Sequence, residues 1–257
     1  MKHVRVIPVL LLERGKLVKT VKFQDPAYVG DPINALRIFN DKEVDEVLVL
    51  DIGLSRSGQR VNLDLVARLA GECFMPMGYG GGISTVDDAR AVFGCGVEKL
   101  VLNTAALHKP GLMEQVARMF GAQAVVVSVD VRRNFLGRPA AFTHGGTRKV
   151  DVPLLDLVRQ LEQRGAGELI INSIDRDGTM QGYDVPLIHA VSTAVRIPVV
   201  ACGGAARMQD FVTAMREGRA SAVAAGAMFV FNGKHRAVLI SYPGQDALAR
   251  DLYSVIP

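Results

Sequence analysis

Short apolar runs rich in β-branched residues alternate with amphipathic stretches from one end of the chain to the other. Runs at 4–12, 17–23, 46–52, 75–79 and 99–103 read as strands, and apolar residues at helical spacing predict helices at 31–40, 61–73, 85–93 and 110–120. The second half keeps the rhythm, with strands at 124–130, 168–173, 198–202 and 220–225 and helices at 153–164, 185–195 and 208–217. The weakly amphipathic segment 244–257 is assigned the last helix. Strands that are apolar along their whole length and separated by helices indicate a parallel sheet covered on both faces.

The pattern also repeats itself. Pro76 and the pair Gly81-Gly82 recur as Pro198 and Gly203-Gly204, each displaced by 122 positions. The same offset carries Val101 and Ala105 onto Val223 and Ala227. A period of half the chain means two similar halves rather than a solenoid. Eight strand–helix units, four per half, fit a (βα)8 or TIM barrel at its usual size. The expected organisation is one α/β domain over 1–257, with half-barrels at about 1–120 and 121–243. An open doubly wound sheet would gather its ligand residues at one switch point. Here polar or glycine residues follow almost every strand.

Composition narrows the function. The net charge is +4, with both signs interspersed, and no basic run of the kind that tracks nucleic acid is present. No apolar segment is long enough to span a membrane, and no export signal is visible at the start, so a cytoplasmic protein is expected. Cys73, Cys95 and Cys202 are scattered and fit reduced thiols. The five histidines, His3, His108, His144, His189 and His235, have no metal-ligand spacing, so they are read as surface or loop residues. Of these, only His144 falls in a loop on the side where barrel chemistry gathers. No metal or cofactor is expected.

In a barrel, chemistry collects at the C-terminal ends of the strands. Gly80-Gly81-Gly82, Asn103-Thr104, Gly203-Gly204 and Ala225-Gly226 end the third, fourth, seventh and eighth strands. Glycine lets backbone approach a ligand closely, and it equally serves a tight turn. The symmetric placement of two pairs, one beside Asn-Thr donors, favours two phosphate sites and a ligand phosphorylated at both ends. Asp51, Asp130, Asp175 and Asp177 lie at or just past strand ends. Asp130 closes the apolar run 125–129, where partial burial would raise its pKa toward acid–base use; a satisfied structural aspartate is the alternative. The loop Asp175-Arg176-Asp177-Gly178-Thr179 could hold substrate hydroxyls or be an ordinary turn.

At these residues the sequence resembles the cyclase subunit of imidazole glycerol phosphate synthase, the HisF family. The likeness runs from Arg5 to about Phe231 and includes Leu50-Asp51-Ile52, Gly80-Gly81-Gly82-Ile83, Asn103-Thr104-Ala105, Val129-Asp130 and the run from Ser173 to Thr179. The resemblance implies a barrel of two halves that binds a bis-phosphorylated small molecule. It also implies pairing with a HisH-like glutaminase that sends ammonia through the barrel axis. It places Gly82, Asn103 and Thr104 at one phosphate, with Gly81 beside them, and Asp177, Gly178, Gly203, Gly204 and Gly226 around the other. Asp51 and Thr179 complete the substrate contacts, Lys19 belongs to the loop after the first strand, and Arg5, Glu46, Lys99 and Glu168 form the ammonia gate at the floor.

The family uses two catalytic aspartates, on the first and fifth strands. Asp130 supplies the second, but Leu11 stands where the first belongs. The loop Thr143-His144-Gly145-Gly146 also has glycine where the family places serine. A paralogous branch is a closer likeness through residues 28–32, 39–46, 229–231 and 235–240. That branch accompanies a glutaminase and an ATP-dependent sugar amidotransferase, and serves acetamidino modification of surface-polysaccharide sugars. The expectation is therefore a HisF-like synthase subunit serving sugar amidination. Two alternatives are a genuine histidine-pathway lyase/cyclase and a phosphate-sensing scaffold that activates the glutaminase.

Overall fold

The structure is a computed structural model that describes residues 4–233 and 235–256. Eight parallel strands close on themselves: β1 (Arg5–Glu13), β2 (Val47–Asp51), β3 (Met77–Gly80), β4 (Lys99–Leu102), β5 (Val125–Arg133), β6 (Glu168–Ser173), β7 (Val199–Cys202) and β8 (Ala222–Ala225). Closure comes from β8 pairing with β1, Arg5 opposite Ala222, while β5 and β6 pair across the middle of the chain, Asp130 opposite Asn172. The TIM-barrel expectation holds.

Helices cover the outside: α1 (Pro32–Asp41), α2 (Leu63–Gly71), α3 (Val86–Gly94), α4 (Pro110–Phe120), α5 (Leu154–Gln163), α6 (Val185–Ser192), α7 (Met208–Arg216) and α8 (Gln245–Leu248). Several begin where the sequence supplies an acceptor for unpaired N–H groups. Asp31 accepts from Asn34 N at 3.0 Å and Asn62 from Leu65 N at 3.1 Å. Thr85 and Asp88 cap each other reciprocally at the start of α3.

The strands obey a two-residue alternation that builds two cores. Val6 and Leu10 of β1 pack against helices in the outer core, whereas Ile7 and Val9 join Leu48, Val101, Val126, Ile170 and Val200 on the axis. Glycines on β3 make this inner core possible. A Cβ on Gly78 would lie 2.6 Å from Leu48 Cδ2, and one on Gly80 would lie 2.7 Å from the Val101 carbonyl. The axis is filled by neighbouring Leu48 and Leu50 instead.

The structure departs from the sequence expectations in three places. The run at 17–23 is one arm of a hairpin, Lys16–Val21 with Gln24–Gly30, whose second arm is almost wholly exposed and carries Asp25 and Pro26. Edge strands tolerate such residues, so the pattern hides them. The fifth strand does not end at Asp130. It continues to Arg133 and turns back as Pro139–Thr143, with Asp130 opposite Phe142. The tail is not one regular helix: α8 passes into a wider π turn at Ala249–Tyr253, which buries Leu248 and Leu252 completely.

Leu48 fills axial space that no glycine of β3 occupies. Replacing Leu48 by Ala is expected to cost about 2–5 kcal/mol. Replacing Leu239, which is 52% exposed, by Ala should cost under about 0.5 kcal/mol. Urea unfolding checks both, and equal costs would contradict an inner core packed around Leu48.

Candidate active site

The C-terminal ends of the strands surround a cavity of about 380 Å³. Its lining includes Lys19, Asp51, Gly81, Gly82, Asn103, Thr104, Asp130, Asp177, Gly178, Gly203, Gly204 and Gly226. Residues spread over two hundred positions of sequence thus meet at one mouth. Thr179 does not line it: its hydroxyl donates to the Arg176 carbonyl at 2.7 Å and closes the turn. Asp175 is also outside the lining and accepts from Arg133 N at 2.8 Å, tying the hairpin after β5 to the loop after β6. His144 sits in that hairpin beside the cavity. His189 and His235 are elsewhere on the surface, and His3 lies outside the described residues.

Asp130 faces the axis because it shares a strand face with Val126 and Ser128. Its Oδ1 accepts from Ser128 Oγ at 3.2 Å and its Oδ2 from Asn103 Nδ2 at 3.1 Å. Burial pushes the carboxyl up to about 7, and the negative charge of Asp177 adds to this, while Ser128 and Asn172 act against it. A carboxyl poised there can both give and take a proton near neutrality. Asn172, opposite Asp130 on β6, has an Oδ1 that is buried with no partner. Such an atom carries the cost of desolvation and is an acceptor available to a ligand donor.

Asp51 is raised to about 6, again mainly by burial, with the N–H groups of Gly53 and Leu54 moderating the rise. Asp177 is engaged differently. Its carboxylate receives Lys19 Nζ at 3.1 Å and Thr20 Oγ1 at 3.2 Å, so the first hairpin is pinned to the loop after β6. The Cys202 thiol, buried in the lining, is pushed up to about 12 by desolvation and is unreactive as a nucleophile.

Leu11 is also in the lining. It pairs with Leu50 on β2, and both pack onto the inner core. The mouth at β1 is therefore apolar, and no carboxylate from that strand faces Asp130.

The glycine pairs sit on strained backbone. Gly81 and Gly82 have φ of +116° and +70°, and Gly203 and Gly204 have +84° and +113°. A Cβ on Gly81 would fall 2.3 Å from the Asp51 carbonyl oxygen, and one on Gly204 2.3 Å from that of Gly182. Both pairs are thus demanded by tight turns, since only glycine accepts this backbone and this close approach.

At the opposite end, the floor carries a closed ring of charge. Arg5 of β1 bonds both Glu46 and Glu168, and Lys99 of β4 reaches Glu46 at 2.8 Å and Glu168 at 3.2 Å. The two carboxylates are nearly buried, while the cations keep partial contact with solvent. That exposure eases the desolvation cost of an interior ion pair.

Sequence reasoning missed Ser128, Asn172, Thr20 and His108. The first two were discoverable, since Ser128 lies two residues before Asp130 and Asn172 four after Glu168, and even spacings along a strand share one face. Thr20 and His108 required the folded loops.

Comparison with known proteins is consistent with this geometry. A family model described as "Histidine biosynthesis protein" matches residues 5–235. The chain is 52% identical over 244 residues to a Pseudomonas aeruginosa protein provisionally named imidazole glycerol phosphate synthase subunit hisF2, covering 95% of this chain and 97% of the relative. It is 45% identical over 240 residues to a Leptospira borgpetersenii protein provisionally named subunit HisF, covering 93% and 94%. It is 41% identical over 228 residues to imidazole glycerol phosphate synthase subunit HisF of Alkaliphilus metalliredigens, covering 89% and 90%.

Asp130 also leaves a thermodynamic signature. A carboxyl raised from about 3.8 to about 7 in the folded state adds stability that is complete below the unfolded value and is lost as pH rises through the folded one. Asp130→Asn removes that titration. Its stability relative to wild type should therefore climb between about pH 4 and 7 and level off above 8, by at most roughly 4 kcal/mol. Denaturant midpoints at pH 4, 6 and 8 test this, and a pH-independent difference would contradict it.

Proposed function

Because the chain belongs to the histidine biosynthesis protein family of HisF-like synthase subunits, we propose that it receives ammonia at the barrel floor from a glutaminase and delivers it to a phosphorylated ligand at the mouth. The relatives' names call them subunits, which supports a partner for this chain. The charge ring supports the point of entry. It closes the floor with four ion pairs, so passage along the axis requires one pair to part. The two glycine corners, with Asn103 and Thr104 at the first and Lys19 at the second, support a ligand anchored by a phosphate at each end.

The observation that carries the finer reading is Leu11. Leucine cannot move a proton, and general acid–base assistance is worth roughly 10²–10⁴-fold. We therefore place the chain outside the histidine-pathway lyase/cyclase reaction and in nitrogen transfer for acetamidino-sugar formation, beside an ATP-dependent sugar amidotransferase. In this role Asp130 retains proton handling at the mouth and the phosphates position the ligand.

One observation favours the histidine-pathway alternative. Asp130 and Asp51 are both raised toward neutrality in the same cavity, and two such carboxyls could share acid–base work without a residue at β1.

The two readings separate in a histidine auxotroph lacking its own HisF. Expression of this chain with its glutaminase is expected to leave the strain unable to grow without histidine. Growth at a wild-type rate would overturn the sugar-amidination reading and establish the alternative.

A further inference from the structure

The two anion corners of the mouth are not equivalent in charge. At the second corner, Asp177 neutralises Lys19 at 3.1 Å, and Arg176, packed beside Gly204, donates to the Gln181 and Gly182 carbonyls, both at 3.1 Å. At the first, Lys109 lines the cavity and its Nζ reaches only the Ser84 carbonyl, at 3.2 Å, with no carboxylate partner among the described residues. Lys109 thus bridges the loops after β3 and β4, those that carry Gly82 and Thr104. Beside it, exposed His108 lines the same rim one helical turn after Thr104.

His108 is oriented by an unusual relay. Its Nε2 lies 3.2 Å from Thr143 Oγ1, and the same hydroxyl lies 3.0 Å from His144 Nδ1. Thr143 is completely buried, and the two imidazoles meet edge to face with centroids 5.6 Å apart. The His144 backbone N–H donates to Thr104 Oγ1 at 3.1 Å, and Thr104 Oγ1 donates to Asn103 Oδ1 at 3.2 Å. The relay is therefore continuous with the Asn103–Asp130 contact.

For neutral rings this arrangement has three proton orders, because the Thr143 hydroxyl also lies 3.4 Å from the Arg148 carbonyl. In one, His144 Nδ1–H donates to Thr143, whose hydroxyl donates to His108 Nε2, leaving His108 with a free Nδ1–H. In the other two, the hydroxyl donates to His144 or to the Arg148 carbonyl, His108 Nε2–H donates to Thr143, and His108 Nδ1 presents a lone pair. An anion at the rim selects the first, since only that order offers it a donor.

We propose that His108 is a further phosphate ligand at the Gly82–Thr104 corner, with Thr143 and His144 as positioning residues that hold it as a donor. The site takes a phosphate monoester, and Lys109 adds positive charge at its rim. The inference rests on the reading of the glycine corners as phosphate sites.

Titration of the full chain with inorganic phosphate, followed through the amide resonances of Gly82 and Gly204, reads the two corners separately. Wild type is expected to show saturable shifts at both, with the His108 imidazole moving in step with Gly82 while that of His189 stays still. His108→Asn should weaken phosphate about tenfold at Gly82 and leave Gly204 unchanged, near the low end for one hydrogen bond to a charged group, as fits a solvated rim. Thr143→Val should reproduce part of that loss and Thr143→Ser should restore it. An unchanged amide spectrum elsewhere shows that the variants fold. If Gly82 saturates at the same phosphate concentration in wild type and His108→Asn while Thr104→Val weakens it, His108 is no ligand and the phosphate corner stands. If wild-type Gly82 shows no saturable shift, the phosphate reading falls and this inference with it.

Discussion

The two-residue period of a closed parallel barrel is the constraint from which the rest follows. Once β8 pairs with β1, inward positions on the first strand are fixed as Arg5, Ile7, Val9 and Leu11. Arg5 then enters the floor ring and Leu11 the mouth. The two are six residues apart, which puts floor and mouth about 15–20 Å from each other once strand tilt is allowed for. A one-residue slip would exchange this inner set for Val6 and Leu10, which belong to the outer core. The ion ring and the apolar mouth are thus consequences of a single register.

The ring illustrates how burial and function are balanced. Ion pairs between exposed residues contribute little, and fully buried ones repay their desolvation only with good geometry. Here two nearly buried carboxylates share two cations that retain solvent contact. Each carboxylate has two positive partners, so parting one pair leaves neither without compensation. At the mouth the balance goes the other way. Asp130 is desolvated among the strands, which outweighs its hydrogen bonds, so its proton is retained toward neutrality.

Much of this was legible in the sequence because long apolar strands and amphipathic helices are dictated by local period. The eight barrel strands and seven of the covering helices follow from it, and the glycine pairs marked their own positions. What could not be read depends on chain folding back over the mouth. The arm Gln24–Gly30 is polar and exposed, so nothing in its composition marks it as a strand. The continuation of β5 past Asp130 is stabilised by pairing with Phe142 and Ala141 rather than by its own pattern. His108 and His144 looked like unrelated loop residues, and they become partners only because the buried Thr143 hydroxyl lies between them. Thr179 is the converse case, a motif residue whose hydroxyl bonds the Arg176 carbonyl of its own turn.

The central claim is that nitrogen enters through the floor ring and leaves at the mouth. Its most direct test follows amide-¹⁵N glutamine in the complex of this chain with its own glutaminase and sugar amidotransferase, with unlabelled ammonium in the medium. Wild type should place the ¹⁵N label in the amidinated sugar with little dilution, whereas Glu46→Ala, which dismantles the ring, should let the label mix with the ammonium pool. Equal dilution in wild type and Glu46→Ala would show that the ring does not guide nitrogen and would contradict the account.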